Sequence, residues 1–249
     1  MAEPVTLSVV APCHNEADNL VPFVTAIRAA LDPLKISYEI VITDDRSTDG
    51  SWKVLQELAA KDPRVRAVRH EKNAGQSAAV WSAIKNTSGK YIATLDADLQ
   101  NDPADLPLFL DAMKTADCIC GNRKASRAGG DSIIRQLSSK IANGIRNWMT
   151  QETVEDSACG YRMFKRECVA DLKFFKGMHR FMPTLIKIEG FTISEIPIRH
   201  HERVAGQSHY GVWNRAFAAL YDLFAVRWMQ KRMFRFRVSE RLNYPPDNH

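Results

Sequence analysis

The chain has 249 residues, 45% of them hydrophobic and 25% charged; it can bury a sizeable core and is neither disordered nor fibrous. Its net charge of +5 conceals a split: residues 1–120 carry 12 Lys+Arg against 17 Asp+Glu, while residues 121–249 carry 22 against 12. The acidic half suits a cation and the basic half an anion. With no recognition-helix signature and no base-stacking platform, the anion is not nucleic acid.

No run reaches the roughly 18 apolar residues that cross a bilayer. Five cysteines form no CxxC pair, and the start MAEPVTLSVV lacks the layout of a secretory signal, which together predict a reducing, cytoplasmic setting. Cys118 and Cys120, in ADCICG, read as core residues of a strand.

In chain order, TLSVVAP, YEIVITDD, VRAVRH, KYIATLDAD and ADCICG read as strands. Between them, ADNLVPFVTAIRAALDPL, DGSWKVLQELAAKDP and QSAAVWSAIKNTSG space their apolar residues by three to four, as helices do. The alternation predicts an α/β fold, a largely parallel sheet flanked by helices, whose ligands bind beyond the carboxyl ends of the strands. Polar clusters fall at those ends: PCHNEA, DDRSTDGS and DADLQ. After Gly121 the alternation stops. GNRKASRAGGDSIIRQLSSKIANGIRNWM reads as a loop opening a helix, CGYRMFKRECVADL as a short strand turning into a helix, and HRFMPTLIKIEGFTISEIPIRHHERVAGQS as a helix, an edge strand and a basic loop.

The stretch TLDADLQNDP ends an apolar run with two aspartates one residue apart. If extension continues to Gln100, Asp96, Asp98 and Gln100 point the same way, and their oxygens would suit a hard divalent cation. The alternative is an Asx-rich turn closing a strand.

SVVAPCHNEADNL, YEIVITDDRSTDGS, NAGQSAA, DADLQNDP, GNR, DSACGYRMF and HERVAGQSHYG, in this order over about residues 6–215, resemble family 2 glycosyltransferases, most closely the branch that makes polyprenyl-phosphate or dolichyl-phosphate sugars. The resemblance implies a nucleotide-sugar-binding fold of the GT-A type, a UDP- or GDP-sugar donor, Mg2+ or Mn2+, and transfer with inversion at the anomeric carbon. It places Pro12, Asn15 and Glu16 in the nucleotide pocket, with His14 where the family usually has tyrosine. It assigns Asp44, with Asp45 beside it, to the nucleobase edge, and Asp96, Ala97 and Asp98 to the donor. Asp96, Asp98 and Gln100 become the metal ligands.

For the acceptor, a polyprenyl phosphate, the resemblance assigns Arg123, Arg135, Arg203 and Ser208, with His209 in place of the usual lysine. An ionised phosphate needs no general base, only cations to aim its oxygen. Asp156 matches an acceptor-side aspartate; were the acceptor a saccharide hydroxyl, Asp156 would be its base. A catalytically silent nucleotide-sugar-binding subunit is the third reading, opposed by the intact DADLQ. Arg162 and Arg199 read as ordinary surface arginines, and His179, His200 and His201 match no closed zinc site. The organisation expected is a donor half over 1–120, an acceptor half of the same catalytic domain over 121–211, and a basic helix and tail over 212–249. In WNRAFAALYDLFAVRWMQKRMFRFRV the stripe Trp213, Phe217, Leu220, Tyr221, Phe224, Trp228 beside arginines suits a membrane surface or a small membrane-anchor protein, and packing on the chain's own core is the alternative. The protein is then expected on the cytoplasmic face of a membrane.

Overall fold

The computed structural model describes residues 4–127, 144–150, 154–201, 212–234 and 240. Among the described residues seven strands form one sheet: β1 (Leu7–Cys13), β2 (Tyr38–Asp44), β3 (Val65–Arg69), β4 (Tyr91–Thr94), β5 (Cys118–Asn122), β6 (Arg162–Lys165) and β7 (Ile193–Pro197), in spatial order β3-β2-β1-β4-β6-β5-β7. β1 pairs in parallel with β2 and β4, β2 with β3, and β5 with β7; β6 is antiparallel to both β4 and β5. The sheet is thus largely parallel, with one reversed strand, β6, between β4 and β5. That strand comes from the second half of the chain, so both halves share one sheet.

The helices are α1 (Ala17–Leu31), α2 (Ser51–Lys61), α3 (Gln76–Lys85), α4 (Leu106–Ala112), the short α5 (Lys124–Arg127), helical residues 144–150 (α6), α7 (Met182–Ile188) and α8 (Val212–Arg232). Strands buried on both faces explain the largely apolar runs of LSVVAPC and YEIVITD, whose few polar residues, Ser8, Glu39, Thr43 and Asp44, are themselves buried. Val9 and Ala11 of β1 join Ile40 and Ile42 of β2 in a core with residues of α1, α2 and α4; Val10 and Val41 point the other way, into a core shared with α3, α7 and α8. Three expectations change in detail. β4 stops at Thr94, before both aspartates; RECV after β6 is a single 3-10 turn rather than a longer helix; and GNRKASR is already helical at Lys124.

On α8 the described residues of the stripe face outward, against the alternative in which it packs on the chain's own core. Leu223 and Val226 are buried in the second core, whereas Leu220, Tyr221, Phe224 and Trp228 face outward, Tyr221 at 78% exposure and Trp228 at 63%. At about 100° per residue the aromatic face and the buried face lie on nearly opposite sides of the helix. The side chains of Trp213 and Phe217 lie outside the described residues.

Candidate functional site

The loops after β1, β2 and β4 meet at the carboxyl edge of the parallel strands. Pro12 sits in register with Thr43 near the ends of β1 and β2. Asn15 takes a left-handed backbone, φ 58°, a conformation asparagine tolerates, and its Oδ1 accepts from Thr48 N at 2.8 Å while its own N donates to Ser47 Oγ at 2.9 Å. Glu16 N donates to Ser51 Oγ at 3.0 Å, and its carboxylate accepts from Asn19 Nδ2 at 2.6 Å. His14 Nδ1 lies 3.0 Å from Asp45 O. The expected nucleotide-pocket residues are therefore laced to the loop after β2.

Asp44 is fully buried: Oδ1 accepts from Ser47 N at 3.0 Å, and Oδ2 lies 2.9 Å from Arg69 Nε, a close ion pair not aligned as a hydrogen bond. Asp45, also buried, accepts from Ala74 N (2.8 Å), Gly75 N (2.7 Å) and His70 Nδ1 (2.8 Å). Within the chain, both carboxylates are committed to holding loops.

After Thr94 the chain turns. Leu99 adopts φ 59°, and Gln100 N donates to Asp98 Oδ1 at 3.1 Å, an Asx turn. Alternation along an extended strand therefore does not align Asp96, Asp98 and Gln100; a tight turn sets their directions. Gln100 uses its carbonyl to accept from His201 N at 2.8 Å, and Asn101 forms a bridge with His200. Asp98 and Ala97 are buried, and Asp96 is partly exposed. Asp96 Oδ1 accepts from Gln76 Nε2 at 3.1 Å. Burial, and then the neighbouring Asp98 charge, push the Asp96 carboxyl up to about 6, against the opposing pull of Arg123 and Arg162.

On the other side, Arg123 and Asp156 form a buried two-pronged pair: Nε to Oδ2 at 2.7 Å, Nη2 to Oδ1 at 2.9 Å, with Arg123 N also donating to Oδ2 at 3.1 Å. Burial works against the Arg123 charge and Asp156 outweighs it, holding the guanidinium above its ordinary pKa. Glu195 of β7 accepts from Glu155 N (2.8 Å) and Asp156 N (3.2 Å). So held, Asp156 orients Arg123 and is poorly placed to take a proton from a hydroxyl.

Arg162, expected at the surface, is buried: it donates to His179 O at 2.6 Å and Ser157 O at 3.0 Å, and its charge acts on Asp96. Gly160 leaves room for the Asp96 carboxylate, since a Cβ there would stand 2.9 Å from Oδ2. Gln76 and Gly160 were not singled out from the sequence, and Arg162 was read as a surface arginine, although all three stand in the motifs NAGQSAA and CGYR that carry the resemblance. Arg199 pairs with Asp105 at 3.0 Å, and His201 lies 3.3 Å from Asp102, structural roles for both. Arg135, Arg203, Ser208 and His209 lie outside the described residues.

Among the described residues no three His, Cys, Asp or Glu side chains gather as a closed metal cage. Asp96 and Asp98 nevertheless fit a hard cation. Their charges oppose each other in a partly dry setting, and Mg2+ and Mn2+ take one or two carboxylates and complete their shell from phosphate oxygens and water.

The fold matches solved structures well below the identity that carries function. A mannosyl-3-phosphoglycerate synthase from Rubrobacter xylanophilus superposes with TM-score 0.69 at 18% identity, over 97% of this chain and 79% of that one. A mannosyltransferase from Pyrobaculum calidifontis in complex with GDP-Man and Mn2+ gives 0.62 at 20%, over 90% and 66%. Among curated proteins, the dodecaprenyl-phosphate galacturonate synthase of Rhizobium johnstonii is 30% identical over 90% of this chain and 67% of its own length. The undecaprenyl-phosphate 4-deoxy-4-formamido-L-arabinose transferase of Edwardsiella ictaluri is 33% identical over 87% and 66%. The chain thus spans about two thirds of the length of these relatives. Residues 8–173, with the three strand-end loops and the Arg123–Asp156 pair inside them, match the model of glycosyl transferase family 2, and the chain belongs to that family.

Proposed function

We propose that this glycosyltransferase moves a sugar from a UDP- or GDP-sugar to a polyprenyl phosphate at a membrane surface, with Mg2+ or Mn2+ held by Asp96 and Asp98. The observation that carries the reading is Arg123, a buried guanidinium locked by Asp156 and close enough to Asp96 for its charge to act there. An ionised acceptor needs such a fixed cation, whereas a hydroxyl acceptor needs a free base, and Asp156 is engaged. The relatives named for polyprenyl-phosphate sugars support the same acceptor.

Pro12, Asn15, Glu16 and Asp44 line the edge where the nucleotide would lie, and Asp45 shapes that edge by holding the loop ahead of α3. Gln76 orients Asp96; Gly160 leaves room for it. A bound metal would neutralise charge growing on the departing diphosphate. In sequence, Arg203 and Ser208 follow His201, whose N donates to the backbone carbonyl of Gln100, two residues from Asp98. Arg203, Ser208 and Arg135 are proposed to meet the acceptor phosphate with Arg123. The exposed aromatic face of α8, with Lys231 and Arg232 at its end, is proposed to rest on the membrane that holds the lipid.

Thermal shift tests the donor side. A UDP- or GDP-sugar with manganese should raise the unfolding temperature of wild type, and Asp98→Asn, which keeps the Oδ1 acceptor for Gln100 N, should lose most of that rise. Equal manganese-dependent stabilisation of both proteins would remove the two-aspartate metal site.

A further inference from the structure

His70 is not itself among the groups assigned above to donor or acceptor, but it touches one of them, Asp45; both ring nitrogens are engaged and its side chain is only 16% exposed. Nδ1 lies 2.8 Å from Asp45 Oδ1 and Nε2 lies 2.8 Å from Ser82 Oγ. With the carboxylate as acceptor at Nδ1, the neutral ring carries its proton there and Ser82 Oγ–H donates to Nε2.

A serine, a histidine and an aspartate in that order have the connectivity of a hydrolase triad, but the surroundings exclude that chemistry. Ser82 lies well inside α3, where the backbone amides are spent on helix hydrogen bonds and none is left to hold an oxyanion. Asp45, moreover, divides its charge among three donors, two of them the backbone amides of Ala74 and Gly75.

Those two amides give the relay its direction. Gly75 takes φ 89°, a conformation open to glycine, and α3 begins at the next residue, Gln76, whose Nε2 reaches Asp96 Oδ1 at 3.1 Å. The start of α3 is therefore fixed by Asp45, Asp45 by His70, and His70 by Ser82, about one and two-thirds turns further along the same helix.

We propose that His70 is a positioning residue for the donor site: through Asp45 it sets the loop Asn73–Gly75 and so aims Gln76 at the carboxylate Asp96. The inference rests on the metal-dependent donor reading above, and concerns groups that touch neither metal nor sugar. Outer-shell partners of this kind typically change metal affinity by tenfold to a hundredfold when removed.

The test measures manganese-dependent binding of UDP and of GDP by calorimetry, together with the KM for donor and acceptor, in wild type, His70→Leu and His70→Asn. Asparagine places an amide N–H near the position of Nδ1 and leucine does not. His70→Leu should weaken manganese–nucleotide binding and raise the donor KM by about tenfold, with the acceptor KM unchanged, and His70→Asn should restore most of the loss. A residue that merely stabilised the fold would lower the unfolding temperature in His70→Leu and leave the affinity of the folded fraction alone; that result overturns the proposal. If wild type binds neither nucleotide with manganese, the donor reading falls and the relay with it; if wild type binds and His70→Leu matches it, the relay alone is refuted. Should His70→Leu not fold, Ser82→Ala carries the test through loss of one neutral hydrogen bond, with about fivefold weaker binding expected and unchanged binding decisive against.

Discussion

Asp96 sits where its charge is disfavoured, and that can be measured without any substrate. Burial and then Asp98 oppose its ionisation and push the carboxyl from its ordinary value near 3.8 up to about 6. The folded protein therefore binds a proton more tightly than the unfolded chain between about pH 4 and 6, so stability falls as pH rises through that window and stays lower above it. The shift corresponds to about 3 kcal/mol at most; with screening at a partly exposed side chain, roughly 1–2 kcal/mol is expected. Asp96→Asn should stabilise the metal-free protein by that amount at pH 7.5, give no gain at pH 4, and abolish transfer. Urea denaturation at the two pH values checks it; a variant less stable than wild type at pH 7.5 would mean that the carboxylate is not strained. The aspartates were legible because an apolar run ending in DAD is conspicuous. Their geometry was not, because a leucine at φ 59° leaves no mark in sequence and a two-residue alternation looks the same in a strand and in a turn.

At the scale of elements, the strands of the first half and the helices between them follow from apolar periodicity. β6 does not, since nothing local tells RMFK to run antiparallel between two strands it meets only through the fold. α8 shows the same limit: its stripe is readable, but not the side that packs. The buried Leu223 and Val226 are inconspicuous beside the exposed Leu220, Tyr221, Phe224 and Trp228, and Asp222 ties the helix to Arg180 at 2.7 Å. Removing α8 would open the second core, so point substitutions are the cleaner probe. Phe224→Ser with Trp228→Ser should change unfolding free energy by no more than about 0.5 kcal/mol each, as exposed positions do, whereas Leu223→Ala should cost about 2–4 kcal/mol. The double variant should co-sediment with anionic liposomes several-fold less than wild type, and wild-type binding should weaken as salt rises. If wild type ignores liposomes of every composition, the exposed aromatic face serves a protein partner instead.

The whole molecule places an acidic, metal-suited edge on one side of β6 and a fixed buried cation on the other, and the family match spans both. Among the described residues no helix is long and apolar enough to cross a membrane, and the lipid contact proposed above is made through the outer face of α8. The uneven charge of the two halves was visible from composition alone. The partnership of Arg123 with Asp156 was not, because the two stand 33 residues apart and only the fold brings them within 2.7 Å. The proposed choice of a phosphate acceptor over a hydroxyl rests on that pair, and mass spectrometry of the product tests it most directly. The protein with manganese and a panel of UDP- and GDP-sugars is offered a short polyprenyl phosphate, the matching polyprenol without phosphate, and free saccharides. The account predicts one glycosyl group on the polyprenyl phosphate, with none on the polyprenol or the saccharides. Transfer to a hydroxyl acceptor, with the lipid phosphate left unmodified, would contradict it.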